Sequence, residues 1–201
     1  MDTLIEGYRR FRDSYFGSHR HLFEELAAGQ SPKAMIVSCC DSRVDPHLIF
    51  NAQPGDVFTL RNIANLVPPY APDGAHHSTS AALEYAVKVL EVEHIVVMGH
   101  SGCGGVRALL EPQDGEFVGP WVKIAEAVRR KVDGRADLTR VERLRLCEHE
   151  VIRVSLANLT GYPWISERIV AGRLVLHGWY FDIEAGRLYI RDADDDRFFP
   201  V

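Results

Sequence analysis

Apolar and polar positions divide the chain into short continuous apolar runs and longer stretches with helical spacing, in alternation. Three apolar runs have the length and composition of buried strands: 33–39, 57–60 and 94–98. A helical segment follows each of them, near 46–51, at 78–90 and from about Gly104 onwards. The order β-α-β-α-β-α predicts a parallel sheet with right-handed crossovers.

The second half of the chain predicts more helices and a closing hairpin. Helices are expected at 119–131, 138–158 and 163–171, and strands at 174–181 and 187–190. A long loop is expected at 61–75, and the acidic stretch 192–196 is expected to be a solvated end. Together these elements predict an α/β fold with a central, mostly parallel β-sheet flanked by helices.

An N-terminal helical arm precedes this alternation. Residues 3–28 have apolar and aromatic side chains at helical spacing, with a break at Gly17-Ser18 and an end at Gly29. The arm has too little core of its own, so it is expected to pack on the body or on a second subunit. We expect a single domain over residues 1–201, made of this arm (1–29) and an α/β body (30–201).

Composition narrows the class of protein. Of the 201 residues, 46% are hydrophobic and 25% charged, as in soluble globular proteins. The net charge of −5 offers no basic surface to a nucleic acid. No apolar run reaches the ~18 residues of a membrane-spanning helix, and no signal peptide is evident. Four cysteines in a chain this long are not a disulfide framework, so metal-bound thiolates in a reducing cytoplasm are expected.

Two thiols and an imidazole follow the first and third predicted strands. Cys39 ends the run at 33–39, and His100 and Cys103 come soon after the run at 94–98. Because open α/β sheets bind ligands outside the carboxyl ends of their strands, we expect the fold to bring the three together. Nitrogen and sulfur ligands suit zinc, and three protein ligands leave a fourth position open, as in catalytic sites. The pattern predicts a zinc enzyme that activates water.

An acid and a base accompany the first of these thiols. Alternation along an extended segment puts Asp41 on the same side as Cys39, so its carboxylate can reach the metal or a metal-bound water. Arg43 continues the alternation and can hold that carboxylate in a bidentate pair. The alternative is a purely structural ion pair at the end of a strand.

The remaining cysteines and most histidines are expected to have structural or solvated positions. Alternation turns Cys40 to the face opposite Cys39, which predicts a core position, and Cys147 lies among the apolar residues of a helix. A cysteine taken alone is more often a small buried hydrophobe than a ligand. The histidines assigned to structure or surface are His19, His21, His76, His77, His94 and His149.

Four motifs together resemble the β-class carbonic anhydrases. Residues 39–44 match the family's C-x-D-S-R-[IV] signature, and residues 100–105 match its H-[ST]-x-C-G-G signature. The segment from Arg61 resembles its R-N-[IV]-A-N loop, and His177-Gly178-Trp179 resembles its H-G-W strand. The similarity extends from about Gly29 to about Ile190.

The resemblance implies roles for the site residues. Cys39, His100 and Cys103 are expected to ligate one Zn²⁺ per chain, and Asp41 and Arg43 to form the catalytic dyad. Asp41 is also a conditional fourth ligand, because in some members the aspartate swings onto the metal and stops the enzyme. The implied function is reversible hydration of CO₂ to bicarbonate and a proton, by attack of zinc-bound hydroxide on CO₂.

The sequence also resembles the plant-like subgroup of that family. Gln30 stands where the subgroup has a hydrogen-bond donor near the substrate. Phe58, Ile63 and Tyr85 match its apolar substrate pocket, part of which the family takes from the neighbouring subunit. A homodimer or a dimer-based homo-oligomer is therefore expected, with CO₂ and bicarbonate as small-molecule partners and neither nucleic acid nor membrane.

Two other functions fit the same ligands. A hydrolase for CS₂ or COS on this scaffold would share the metal site and differ in substrate access. A non-catalytic zinc-binding regulator would lack the dyad, whereas Asp41 and Arg43 are both present. A thiol-redox protein would need a C-x-x-C motif, which the sequence does not contain.

Overall fold

Residues Met1–Ser31 form the first of two compact units in this computed structural model, which describes residues 1–111 and 115–201. This unit contains helix α1 (Asp2–Phe11), a π-helical segment (Arg12–Phe16) and helix α2 (Arg20–Ala28). The helical backbone is interrupted at His19, beside the predicted break. Leu4 and Tyr8 of α1 are exposed, so the arm leaves much of its apolar face uncovered.

The second unit, Pro32–Val201, is built on a sheet of six strands. These strands are β1 (Ala34–Cys39), β2 (Val57–Asn62), β3 (His94–His100), β4 (Val175–Asp182), β5 (Arg187–Arg191) and β6 (Phe198–Pro200). Their order across the sheet is β2-β1-β3-β4-β5-β6. The first four are parallel to one another, and β5 and β6 are antiparallel to their neighbours. The predicted mostly parallel α/β sheet is confirmed.

Helices connect these strands and cover the sheet. They are α3 (Pro46–Ile49), α4 (Ser78–Glu84), α5 (Gly104–Leu110), α6 (Val118–Val122), α7 (Glu126–Asp133), α8 (Arg140–Thr160) and α9 (Pro163–Val170). A π-helical segment, Tyr85–Val89, extends α4. None of the helices in the two described stretches is both long and apolar enough to cross a membrane.

The long helix α8 anchors the core. It starts at a capping box between Thr139 and Glu142, an arrangement that contributes about 0.5–2 kcal/mol to helix stability. Its residues Ile152 and Leu159 are fully buried in one cluster with Val37 and Ile95 of the sheet. Each such side chain contributes roughly 1.5–3 kcal/mol on burial. The sheet is therefore held rigidly beneath the loops at its carboxyl edge.

Strand register places the ends of β1 and β3 at one edge of the sheet. Ser38 pairs with Met98 in the parallel ladder, so Cys39 and His100 both lie at strand ends on neighbouring strands. Cys103 follows three residues after His100 as the N-cap of α5. A Cβ on Gly105 would lie 2.6 Å from Ile63 Cγ2, so only glycine lets this helix approach the 63–65 turn so closely.

The prediction of a loop over 61–75 is wrong at its start. Strand β2 continues through Arg61 and Asn62, which pair with Ser38 and Cys39 of β1. A 3₁₀ turn follows at Ile63–Asn65, with Ala64 in the left-handed region (φ 63°). The polar residues of β2 obscured this extension because the apolar run ends before the backbone ladder does.

Two further predictions about local structure are also corrected. The helix expected at 119–131 consists of α6, a 3₁₀ turn (Lys123–Ala125) and α7. The acidic stretch 192–196 is not simply solvated, because Asp196 pairs with Arg153 and Arg191. The chain then continues into β6, which the sequence pattern did not predict.

The two cysteines that the sequence predicted to lie in the core, Cys40 and Cys147, differ in environment. Cys147 is buried in the core, as predicted. Cys40 is exposed, so its predicted core position is wrong. The ladder of β1 ends at Cys39, and one residue later the chain has left the covered part of the sheet.

Candidate metal centre

Cys39, His100 and Cys103 form a buried cluster at the carboxyl edge of the sheet. Their ligand atoms all lie within 4.8 Å of one another, and each residue is at most 4% exposed. Within residues 1–111 and 115–201, this is the one group of three or more such side chains with metal-binding spacing. The structure thus brings together the three residues that the sequence predicted as ligands.

The geometry of this cluster fits a tetrahedral metal ion. The two Sγ atoms are 3.8 Å apart. Zinc with Zn–S bonds of about 2.3 Å separates two tetrahedral sulfur ligands by about this distance. His100 Nδ1 donates to the Ser101 carbonyl at 3.0 Å, which leaves the lone pair on Nε2. That Nε2 is buried and has no hydrogen-bond partner among the described residues, as expected of an atom directed at a metal.

Electrostatics favour a cation between the two sulfur atoms. The hydrogen bond between the two thiols lowers the pKa of Cys39 below its ordinary value and raises the pKa of Cys103. One sulfur therefore ionises readily while the second resists ionisation beside it. Two thiolates at 3.8 Å repel each other strongly in a buried site, so both can be ionised together only beside a positive charge.

Asp41 and Arg43 form a bidentate ion pair next to the cluster. Arg43 Nε donates to Asp41 Oδ1 at 2.9 Å, and Nη2 donates to Oδ2 at 2.7 Å. Asp41 Oδ2 also lies 3.9 Å from His100 Nε2, so the carboxylate borders the open side of the cluster. The guanidinium holds the pKa of Asp41 well below its usual range. This carboxylate is a hydrogen-bond acceptor at any physiological pH.

Two of the four residues predicted to contact substrate pair with each other away from the metal cluster. Phe58 and Tyr85 have ring centroids 5.9 Å apart. Phe58 pairs with Met35, four residues before Cys39, which puts Phe58 about 13 Å from Cys39 along the strand. Ile63 is half-exposed and lies in the turn that contacts α5. Gln30 belongs to the N-terminal unit and is exposed, and its role stays a prediction.

Arg61 is a site residue that the sequence reasoning missed. Its guanidinium donates to three carbonyl oxygens and one carboxylate of the segment that carries the dyad: Cys39 O (2.9 Å), Asp41 O (2.7 Å), Val44 O (3.3 Å) and Asp45 Oδ2 (3.0 Å). One side chain thereby fixes the whole turn from the first thiol to α3. The only sign in the sequence was the match to the R-N-[IV]-A-N loop, which assigned Arg61 no role.

Asn62 fixes the second loop at this edge. Its side-chain Nδ2 donates to the Leu66 carbonyl at 2.7 Å, and its Oδ1 accepts from the Leu66 amide at 3.0 Å. Its own carbonyl accepts from the Cys40 amide at 2.9 Å. The last two residues of β2 therefore hold the loops on both sides of the metal cluster.

Comparison with known proteins identifies the family. A family model described as carbonic anhydrase matches residues 34–188. A carbonic anhydrase of Synechocystis sp. is 42% identical over 198 residues, which cover 96% of this chain and 72% of that protein. Beta carbonic anhydrase 3 of Arabidopsis thaliana is 36% identical over 201 residues, covering 96% of this chain and 78% of that protein.

Solved structures agree with this assignment. The β-carbonic anhydrase CcaA superposes with a TM-score of 0.95 at 41% identity, covering 100% of this chain and 92% of that chain. A structure from a study of two tetrameric β-carbonic anhydrases of the ascomycete Sordaria macrospora gives 0.83 at 33% identity, covering 94% and 95%. The chain therefore belongs to the β-class carbonic anhydrases, a family of enzymes that hydrate carbon dioxide. The match to a plant relative agrees with the plant-like subgroup.

The contacts of Arg61 generate a testable prediction. Lysine keeps the charge, but its single ammonium group cannot reach four acceptors arranged around a planar fork. We expect Arg61→Lys to lower the CO₂ hydration rate roughly 10- to 100-fold, because the dyad turn is displaced. Stopped-flow hydration assays measure this, with Arg187→Lys, at an exposed position of β5, as the matched control. A wild-type rate in Arg61→Lys would show that the turn holds its position without these bonds.

Proposed function

We propose that this chain catalyses the zinc-dependent, reversible hydration of CO₂ to bicarbonate and a proton. The observation that carries the proposal is the buried Cys39–His100–Cys103 cluster, whose free imidazole nitrogen lies beside the Asp41 carboxylate. Zinc held by these three residues would act as a Lewis acid that lowers the pKa of water towards about 7, providing hydroxide near neutral pH. This donor set suits zinc, a borderline-soft ion that thiolate sulfur and neutral imidazole nitrogen bind well.

Asp41 would orient the nucleophile. Its carboxylate lies 3.9 Å from the imidazole nitrogen at the open side of the cluster and is only an acceptor. By accepting a hydrogen bond from the attacking oxygen, this carboxylate would turn a lone pair of that oxygen towards the substrate carbon. Such orientation converts random encounters into productive ones and is a large part of catalysis by positioned groups.

Arg43 would keep Asp41 ionised and directed at the cluster. Its two donors occupy one lone pair on each carboxylate oxygen, and Nη2 also donates to the Gly102 carbonyl at 3.2 Å. The arginine therefore ties the Asp41 segment to the loop that carries Cys103. A swing of Asp41 onto the metal would require the two Arg43–Asp41 hydrogen bonds to break or rearrange.

The apolar substrate pocket supports a dimer as part of the proposal. CO₂ carries no net charge, so its pocket must be mainly apolar. Ile63 is close to α5, whereas Phe58, whose ring contacts that of Tyr85, lies about 13 Å from Cys39 along the strand. We infer that the aromatic pair of one subunit lines the site of the other. The Sordaria macrospora relatives are described as tetrameric, which supports a dimer-based assembly.

The location and the metal are further parts of this proposal. All four cysteines are free thiols, which supports a reducing compartment such as the cytoplasm. One zinc ion per chain follows from the single cluster with metal-binding spacing among the described residues.

The reaction is tested by stopped-flow CO₂ hydration across pH with zinc content measured on the same sample. Sulfide release from CS₂ or COS by that sample measures the alternative hydrolase activity.

The metal assignment predicts the behaviour of three variants. Cys39→Ser, His100→Ala and Cys103→Ser each remove one soft ligand from a three-ligand site, so zinc content should fall sharply from one per chain. Cys40→Ser, which changes the exposed neighbouring thiol, is the matched control and should keep full zinc. Metal analysis of purified protein gives the answer. Full occupancy in all three ligand variants would refute the assignment.

The orienting role of Asp41 predicts a separation of binding from catalysis. Asparagine has nearly the same shape but presents an N–H donor where an acceptor is required. We expect Asp41→Asn to retain zinc and to lose at least roughly tenfold in CO₂ hydration above neutral pH, within the range of ~10²–10⁴ typical for such groups. Zinc stoichiometry and hydration are measured on one preparation. Loss of zinc instead would identify Asp41 as mainly a ligand.

The shared pocket predicts an oligomer. Sedimentation of the purified chain should give a mass of at least twice 22.6 kDa. Tyr85→Ala should then reduce CO₂ hydration without changing zinc content, because the aromatic side chain serves the partner's site. A fully active monomer would contradict both the pocket and the assembly.

A further inference from the structure

A buried glutamate on α8 contacts the metal cluster through the backbone of Cys103. Glu148 is 3% exposed. Its Oε1 accepts from the backbone amide of Cys103 at 3.0 Å, and its Oε2 accepts from the Tyr180 hydroxyl at 2.8 Å. Tyr180 is itself 2% exposed and lies on β4. Neither sequence motif nor family resemblance had given Glu148 a role.

Burial of this carboxylate is costly and is not offset by an ion pair. Arg145, one turn earlier on α8, pairs with Asp182 at 3.2 Å instead. Among the residues that the structure describes, Glu148 forms no salt bridge. Burial accordingly raises its pKa. A polar group kept in the core without a charged partner costs free energy unless its hydrogen bonds serve a purpose elsewhere.

The segment that carries Cys103 has few means of fixing itself. Gly102 has φ +67°, and a Cβ at Gly102 or Gly104 would meet nothing within 4 Å. Cys103 is the N-cap of α5 and has no side-chain capping bond there. The bond from its amide to Glu148 therefore anchors a glycine-rich turn to the rigid α8. Tyr180 holds the other carboxylate oxygen, which fixes the direction of that anchor.

We propose that Glu148 is a positioning residue that sets the zinc affinity of the site by fixing the backbone of Cys103. The inference rests on the proposed function, because it assigns a metal to the Cys39–His100–Cys103 cluster. Groups that orient metal ligands in this way typically contribute 10–100-fold to metal affinity. Glu148 touches neither substrate nor metal, and its effect passes through Cys103 alone.

Zinc affinity of the full chain tests this proposal directly. The dissociation constant for Zn²⁺ is measured by competition with a chromophoric chelator for the wild type, Glu148→Gln, Tyr180→Phe and Glu150→Gln. Glutamine keeps the size of the side chain but has one acceptor oxygen instead of two, so the Cys103 amide and the Tyr180 hydroxyl can no longer both donate to it. We expect roughly 10- to 100-fold weaker zinc binding in Glu148→Gln and a smaller weakening in Tyr180→Phe.

The matched control separates this effect from general loss of stability. Glu150 lies on the same helix and pairs with Lys131 and Arg153, so Glu150→Gln removes a carboxylate away from Cys103 and should bind zinc like the wild type. A lowered melting temperature in Glu148→Gln with a wild-type zinc dissociation constant would mean a merely structural role and overturn the inference.

Two other outcomes are also decisive. If Glu148→Gln does not fold, Tyr180→Phe decides, because weaker zinc binding supports the role of the carboxylate anchor and unchanged binding overturns it. If the wild type itself does not bind zinc, the proposed function fails, and the inference fails with it. Tight wild-type binding combined with unchanged binding in both variants overturns the inference alone.

Discussion

The parallel pairing of β1 with β3 is the constraint on which the candidate site depends. Ser38 is opposite Met98 in this ladder, and both strands run in the same direction. Their ends therefore coincide, and Cys39 meets His100 although two helices, a strand and a long loop separate them along the chain. A shift of one residue in either strand would turn its ligand to the other face of the sheet. The apolar side chains buried on α8 hold the register.

Polar side chains outside the ligand set complete the arrangement. The loops beyond the sheet have no ladder partners, so their backbone groups need other donors and acceptors. Arg61 donates to the Cys39–Asp45 turn. Asn62 hydrogen-bonds to both the amide and the carbonyl of Leu66, and Glu148 accepts from the Cys103 amide. Each of these side chains starts from a strand or a long helix. Rigid elements therefore determine the positions of residues on irregular backbone, which is what a preorganised site requires.

The chain separates its reactive groups from its exposed aromatic groups. The thiols, the imidazole and the ion pair cluster at the carboxyl edge of the sheet, whereas Phe58 and Tyr85 pair further back along β2. Tyr85 is half-exposed, and so are apolar residues of the N-terminal arm. A single copy thus presents apolar side chains at its surface, which supports the proposed association between copies.

Local pattern was sufficient for much of this protein. The alternation of apolar runs and helical spacing predicted the order of elements and the parallel sheet, because these periods arise from backbone geometry alone. The spacing of Cys39, His100 and Cys103 at strand ends predicted that they would meet. The Asp41–Arg43 pair was also predicted, but it forms in a turn beyond β1, where the Arg43 amide donates to Asp41 as well, and not by alternation along an extended segment. Such inferences succeed where the interacting groups lie close in the chain or at the same edge of the sheet.

Tertiary contacts decided the rest. Arg61 reaches carbonyl groups up to 22 residues away, and Glu148 reaches an amide 45 residues away, through backbone acceptors and donors that every residue type possesses. No residue pattern can mark such partners. The exposure of Cys40, the continuation of β2 through Asn62 and the pairing of Asp196 likewise depend on which neighbour the folded chain places beside them. Burial and hydrogen bonding between distant segments are properties of the packed structure, and local sequence does not contain them.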